Sequence, residues 1–94
     1  MRDGVVTVVD VNAEPSWLAA RVPGAVHLDP TAFVAGDLPG NCDAHIVFYC
    51  SGPLCRKAPE AARRARGWGY TQVAVMSAGI SGWRAARMPI ETGA

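Results

Sequence analysis

The chain is poor in the groups that most often carry chemistry. Of its 94 residues only two are histidines, His27 and His45, and three are cysteines. Neither histidine has the spacing from Cys50 and Cys55 that a zinc site needs, so no metal is expected. Three cysteines is an odd number, and they are not spread as the framework of a small disulfide-rich domain would be. A reducing, cytoplasmic setting with free and reactive thiols is the default expectation. No apolar run approaches the ~20 residues of a membrane span. The opening MRDGVVTVVD carries an acid at Asp3 and no long apolar stretch, which is not the pattern of a secretory signal. Charge of one sign is also lacking: nine Lys and Arg face eight Asp and Glu. That balance gives no reason to expect nucleic acid or a membrane surface as a partner. Repeats and low-complexity tracts are absent. What is present is a chain half apolar, read as a single domain over residues 1–94, near the lower size at which a core forms without staples.

Short β-branched runs punctuate it. Val5–Val9 (VVTVV) and Ile46–Tyr49 (IVFY) read as strands buried on both faces, the habit of parallel sheets. Ala25–Leu28 and Val73–Met76 read as two more. Between them Glu14–Arg21 has helical composition, with Pro15 where a first turn tolerates it, and Pro23-Gly24 breaks it. Thr31–Ala35 could form one helical turn, and Gly36–Asp43 reads as a polar loop. Ala58–Arg66 predicts a helix whose Ala58, Ala61, Ala62 and Ala65 make a flat inner face, with Arg63, Arg64 and Arg66 in solvent. Pro59 lacks the N–H of a helix interior and belongs in its first turn. Gly67 or Gly69 is its left-handed cap, and Gly79–Arg87 is a last short helix. Strand alternating with helix implies an α/β fold: a parallel sheet of four to five strands, with helices on both faces in three layers.

Two of the cysteines stand in FYCSGPLCRKAPEAARR, Phe48–Arg64. Cys50 follows directly on a buried strand, and a helix begins near Arg56–Ala58, so Cys50–Cys55 is a compact loop between the two. In open α/β sheets ligands bind at the carboxyl ends of strands, and a helix N-terminus there favours negative charge. A cysteine so placed is expected to have its thiolate stabilised. The N–H groups of Ser51, Gly52, Leu54, Cys55 and Arg56 could turn inward around it, while Pro53 stiffens the ring and Gly52 gives it an angle closed to other residues. Arg56 adds a fixed positive fork. Such a ring suits a thiolate, a persulfide or a tetrahedral oxyanion. The competing reading is that Cys50 is a small buried residue at a strand end. Cys55 is either inert or able to resolve an oxidised or persulfidated Cys50 through a disulfide. Cys42 reads as an incidental exposed thiol. His27 reads as a satisfied core or rim residue, His45 as exposed, and Trp17, Trp68 and Trp83 as packing residues.

Across Val5–Ile90 the sequence resembles the rhodanese family. VVDVN is similar to that family's first strand, EPSWLAARVPGAVHL to its acid, helix and Pro-Gly-Ala stretch, and IVFYC to the strand that delivers the active-site cysteine. GYTQVAVMSAGISGWRAARMPIE resembles its closing strand, Gly-x-x-x-Trp helix and final Pro. The resemblance implies a small rhodanese-like fold in which Cys50 is the sulfur-carrying nucleophile. Ser51, Gly52, Pro53, Leu54, Cys55 and Arg56 are then the substrate-binding loop, and Asp10 a buried anchor near the site. It implies transfer of a sulfane sulfur from thiosulfate or a persulfide to a thiol, cyanide or protein acceptor, without a cofactor. The sequence departs from the family at Asn12, where Arg is common, and at Ser77-Ala78-Gly79, where an acid-Gly-Gly turn is usual. Its loop, C-S-G-P-L-C, is similar to loops of rhodanese domains fused to arsenic-repressor-type transcription factors. Two alternatives stand beside sulfur transfer. One is a non-catalytic redox or sulfide-sensing module using Cys50 and Cys55. The other is a phosphatase or arsenate reductase, because Cys50 and Arg56 also satisfy Cys-x5-Arg.

Overall fold

The computed structural model describes residues 6–93. Strand β1 (Val6–Asp10) is followed by helix α1 (Glu14–Ala19), β2 (Val26–His27), a 3-10 turn at Ala35–Asp37, β3 (His45–Tyr49), α2 (Lys57–Gly67), β4 (Gln72–Val75) and α3 (Gly79–Ala85). Val5, read as the first residue of the first strand, lies outside the described residues. The strands form a four-stranded sheet among the described residues, ordered β2-β1-β3-β4. Every pairing in it is parallel. The two long β-branched runs are the central strands, where both faces can be covered and where Val and Ile pack best.

Register decides which side chains share a face. Val9 pairs with Phe48, and Phe48 with Val75. With Ile46, these residues meet Ala58, Ala61, Ala62 and Ala65 of α2 in the main core. The four alanines recur at helical spacing, so α2 presents a smooth face and lies close on the sheet. Asp10 pairs with Tyr49 on the opposite face, where both are fully buried. Towards the other end of that face Val6 is 47% exposed, so cover is concentrated at the carboxyl ends of the strands.

Strand and α2 boundaries shift by one residue from expectation, and three other segments differ more. The helical turn read at Thr31–Ala35 is instead a turn closed by the Phe33 N–H on the Asp29 carbonyl, followed by the 3-10 segment. Asp29 causes the shift, since its carboxylate accepts from both the N–H and the hydroxyl of Thr31 and fixes a turn there. Those two hydrogen bonds, the backbone one foremost, hold the Asp29 carboxyl below its ordinary range. Helices α1 and α3 each end two residues short of the reading, and at the end of α3 Arg87 takes φ +61°.

Arg64 corrects the view that the helix arginines are merely solvated. Its guanidinium donates to the carbonyls of Pro30 (2.9 Å) and Phe33 (2.8 Å) and lies over the Phe33 ring. Phe33, 2% exposed, packs in turn against Phe48 and the edge of Trp68. Arg63 pairs with Glu60 on the helix surface, and Arg66 donates to the Val73 carbonyl. Gly69, at φ +100°, ends the turn after α2.

Two stability predictions follow from the two faces. Phe48→Ala, which empties the centre of the main core, should cost about 3–5 kcal/mol in urea denaturation. On the other face, the Tyr49 hydroxyl accepts the buried Val22 N–H at 3.0 Å. Burial, and after it the neighbouring Asp10 carboxylate, pushes the Tyr49 phenol well above its ordinary value. The folded chain therefore keeps this proton at a pH where the unfolded chain releases it. The stabilisation is whole below about pH 10 and declines as pH rises above it. Tyr49→Phe should cost about 1–3 kcal/mol at neutral pH through the orphaned Val22 N–H, and should flatten the alkaline loss of stability.

Candidate active site

The site is built at the carboxyl end of β3. Cys50 continues the strand, shares the face of Ile46 and Phe48, and is 3% exposed. Its carbonyl accepts the Ile80 N–H at 2.9 Å, and the next carbonyl, of Ser51, accepts the Ser81 N–H at 3.0 Å. The first turn of α3 thus clamps the start of the loop. Gly79 makes this possible. It sits at φ +63°, and a Cβ there would stand 2.6 Å from the Cys50 oxygen, the Gly52 nitrogen and the Ser51 carbonyl carbon. Only a residue without a side chain fits both the angle and the approach.

From this anchored base the loop turns back. The Cys55 N–H donates to the Gly52 carbonyl at 3.1 Å, closing a turn with Pro53 and Leu54 at its corners. The turn brings Cys55 over Cys50: their Cα atoms are 6.4 Å apart and their sulfurs are joined in a disulfide. Cys50, Cys55, Pro53, Ala58, Val75 and Met76 line a cavity of about 360 Å³. The Cys50 sulfur therefore lies at the floor of a mostly apolar cavity, capped by Cys55.

The other residues expected at the site are distributed around that cavity. Among the described residues, the N–H groups of Ser51, Gly52, Leu54 and Arg56 meet no backbone acceptor, whereas that of Cys55 is used in the turn. Gly52 and Pro53 line the cavity. Ser51 is exposed, and Leu54, 94% exposed, projects from the tip of the loop. Arg56 is exposed at the start of α2 and is not among the cavity-lining residues. Asp10 is fully buried, but on the Tyr49 face rather than the Cys50 face. Its Oδ1 accepts the Asn12 N–H at 2.7 Å, fixing the turn from β1 into α1. Asp10 Oδ2 and Asn12 Nδ2 are buried without a partner.

Around that turn His27 behaves as a satisfied rim residue. Its Nε2 donates to the Asn12 carbonyl at 2.8 Å, and its ring stacks on Trp17 at 4.7 Å. Arg21, which no sequence motif singled out, lies over the other partner of that stack, 4.3 Å from the Trp17 ring centroid. Its guanidinium donates to the carbonyls of Trp17 and Gly93. It ties α1 to the chain's last described residues, a contact 72 positions apart that spacing along the sequence does not announce. Gly79 was legible only as part of the Gly-x-x-x-Trp pattern, not as the floor of the loop. Cys42 is exposed and free, and it precedes β3 whereas Cys50 follows it.

A family model for the rhodanese-like domain matches residues 1–86. The HTH-type transcriptional regulator Rv0324 of Mycobacterium tuberculosis is 39% identical over 97% of this chain and 40% of its own length. YibN of Escherichia coli K12, an uncharacterized protein, is 28% identical over 92% of this chain and 61% of its own length. The chain thus spans only 40–61% of these curated relatives. The crystal structure of a thiosulfate sulfurtransferase from Pseudomonas aeruginosa superposes with a TM-score of 0.81 at 28% identity, covering 94% of this chain and 17% of that one.

The Gly79 contact yields a direct test. Gly79→Ala should destabilise the chain by at least the ~1–2 kcal/mol of a left-handed backbone carrying a side chain, and should slow closure of the Cys50–Cys55 disulfide. Gly67→Ala, with no atom within 4 Å of the added Cβ, should do neither. Urea denaturation and thiol titration during oxidation report the two effects.

Proposed function

The chain belongs to the rhodanese-like domain family, and on that premise we propose that it is a sulfurtransferase in which Cys50 carries the sulfur. It takes a sulfane sulfur from thiosulfate or a persulfide and hands it to a thiol, cyanide or a protein acceptor. The observation that supports this most is the placement of Cys50: at a strand's carboxyl end, on the floor of a cavity, before the first turn of α2. The positive end of that helix and the unengaged loop amides favour an anion there. Arg56 and Lys57, both exposed beside the loop, draw a small anionic donor to the mouth. In this reading the Cys-Ser-Gly-Pro-Leu-Cys segment, Cys50–Cys55, is the loop that receives the donor. No step calls for a cofactor, nucleic acid or membrane, and among the described residues no helix is long and apolar enough to cross a bilayer. A cytoplasmic setting fits, since the Cys50–Cys55 disulfide must be reduced before Cys50 can act.

In the reaction the Cys50 thiolate attacks the outer sulfur of thiosulfate. The sulfur–sulfur bond of the donor breaks, and sulfite leaves with its electron pair. In this reading, charge that builds on the transferred sulfur is met by the loop N–H groups that no backbone acceptor engages. An acceptor nucleophile then attacks the outer sulfur of the persulfide.

A second reading, a non-catalytic redox or sulfide-sensing module, is favoured by the disulfide itself and by a relative named as a transcriptional regulator. The phosphatase or arsenate reductase reading has less support. Arg56 is not among the cavity-lining residues, and the Glu60 carboxylate, the acid that follows the loop in sequence, is paired with Arg63.

The test is a burst experiment. Reduced chain, freed of reductant and mixed with thiosulfate, should release about one sulfite per chain, and Cys50→Ser should release none. Absence of sulfite from the reduced chain, or an equal burst from Cys50→Ser, overturns sulfur transfer. A burst of full size that depends on Cys50 removes the non-catalytic reading.

A further inference from the structure

We infer that Cys55 makes this chain a sulfide-releasing enzyme: its thiol resolves the Cys50 persulfide within the loop, and a dithiol reductant then resets the pair. The inference rests on the sulfur-transfer reading and adds a second chemical step to it. The observation that carries it is the Cys50–Cys55 disulfide, formed between the floor and the cap of the cavity that both line.

The geometry favours this step over simple storage of sulfur. The Cα separation of 6.4 Å lies within the range that a disulfide bridges without backbone movement, about 4.4–6.8 Å. The base of the loop is held by the Ile80 and Ser81 amides, and its return is held by the Cys55–Gly52 turn. The pairing is thus set by backbone hydrogen bonds rather than by a chance approach of side chains. A cavity of about 360 Å³ has room for one more sulfur, since a water's share of liquid is only about 30 Å³. Cys55 is part of the same loop, so its attack is intramolecular and outcompetes dilute acceptors.

The chemistry balances without an external oxidant. After sulfite leaves, Cys50 carries a persulfide, Cys50–S–S⁻. The Cys55 sulfur attacks the inner sulfur, Cys50 Sγ, and the bond between Sγ and the sulfane sulfur breaks. The sulfane sulfur takes the electron pair and the Cys55 proton and departs as HS⁻, leaving Cys50–S–S–Cys55. The two cysteine sulfurs are oxidised together by two electrons, and the sulfane sulfur is reduced by two. A small dithiol then returns both thiols and is itself oxidised to a disulfide. The sum converts thiosulfate and a dithiol into sulfite, sulfide and the oxidised dithiol. An outside acceptor attacks the outer sulfur and receives it, whereas Cys55 attacks the inner sulfur and frees it, so the two fates compete. A Cys50–Cys55 disulfide, the pairing that the loop geometry permits, is the product of the second.

A single-turnover experiment on the full chain, reduced, freed of small thiols and kept anaerobic, separates the possibilities. With thiosulfate the chain should release one sulfite and one sulfide, and its intact mass should become that of the disulfide, two hydrogens lighter than the reduced form. Cys42→Ser should behave identically, because Cys42 precedes β3 and does not line the cavity. Cys55→Ser should release no sulfide. Repeated turnover should require dithiothreitol, with sulfide accumulating in step with sulfite. Release of sulfite with the sulfur retained on the wild-type chain overturns the inference while leaving sulfur transfer standing, and so does retention of that sulfur on Cys55. Absence of sulfite removes sulfur transfer itself, and this step with it.

Discussion

The contact on which the site depends is the approach of Gly79 to the backbone of Cys50–Gly52. No side chain would fit in that space. Two hydrogen bonds from the first turn of α3 cross it, to the carbonyls of Cys50 and Ser51. Strand β3 is rigid because it is central in the sheet, but a strand fixes a cysteine only up to its own last residue. Beyond it, the loop takes its course from α3, an element far along the chain. Where Gly79 places α3, the carbonyls of Cys50 and Ser51 are committed, and Cys55 is left to come over the top.

A second constraint keeps the two faces of the sheet chemically separate. One face is alkyl and aromatic, with four alanines of α2 pressed on Val9, Ile46 and Phe48, and it ends in Cys50. The other ends in Asp10 and Tyr49, a buried acid and phenol bound to the Asn12 and Val22 amides. Because side chains alternate along a strand, residues adjacent in sequence, Tyr49 and Cys50, do unrelated work. Tyr49 stabilises the turn beneath the site, and Cys50 stands in the cavity. Asp10 therefore anchors the carboxyl end of the sheet on the face opposite the Cys50 cavity, which it does not line.

Burial of Cys50 in a small, mostly apolar cavity also shapes its chemistry. On the proposed sulfur-transfer reading, an apolar wall keeps out water that would compete for the loop amides and for a persulfide. Of the groups that line the cavity, Cys55 is the thiol supplied by the loop itself. Leu54 at the tip of the loop and Arg56 and Lys57 after it are exposed, while the paired sulfurs line the cavity below.

Composition and periodicity settled much of this molecule unaided. Alternating β-branched runs and an alanine-striped helix specify a parallel sheet with a helix on it, because those patterns bury well only that way. Four strands, α2 with Pro59 in its first turn, and a cysteine loop at a strand's carboxyl end were all legible, whereas the approach of Cys55 to Cys50 depends on loop curvature that the sequence left open. Tertiary structure alone decided the rest, since it depends on residues distant in the chain. It moved Arg64 from solvent to the carbonyls of Pro30 and Phe33, tied Arg21 to Gly93, turned Asp10 away from Cys50, and set Gly79 under the loop. Each of these is a polar or close-packed contact whose partner is chosen by folding, and no local pattern of residue types encodes that choice.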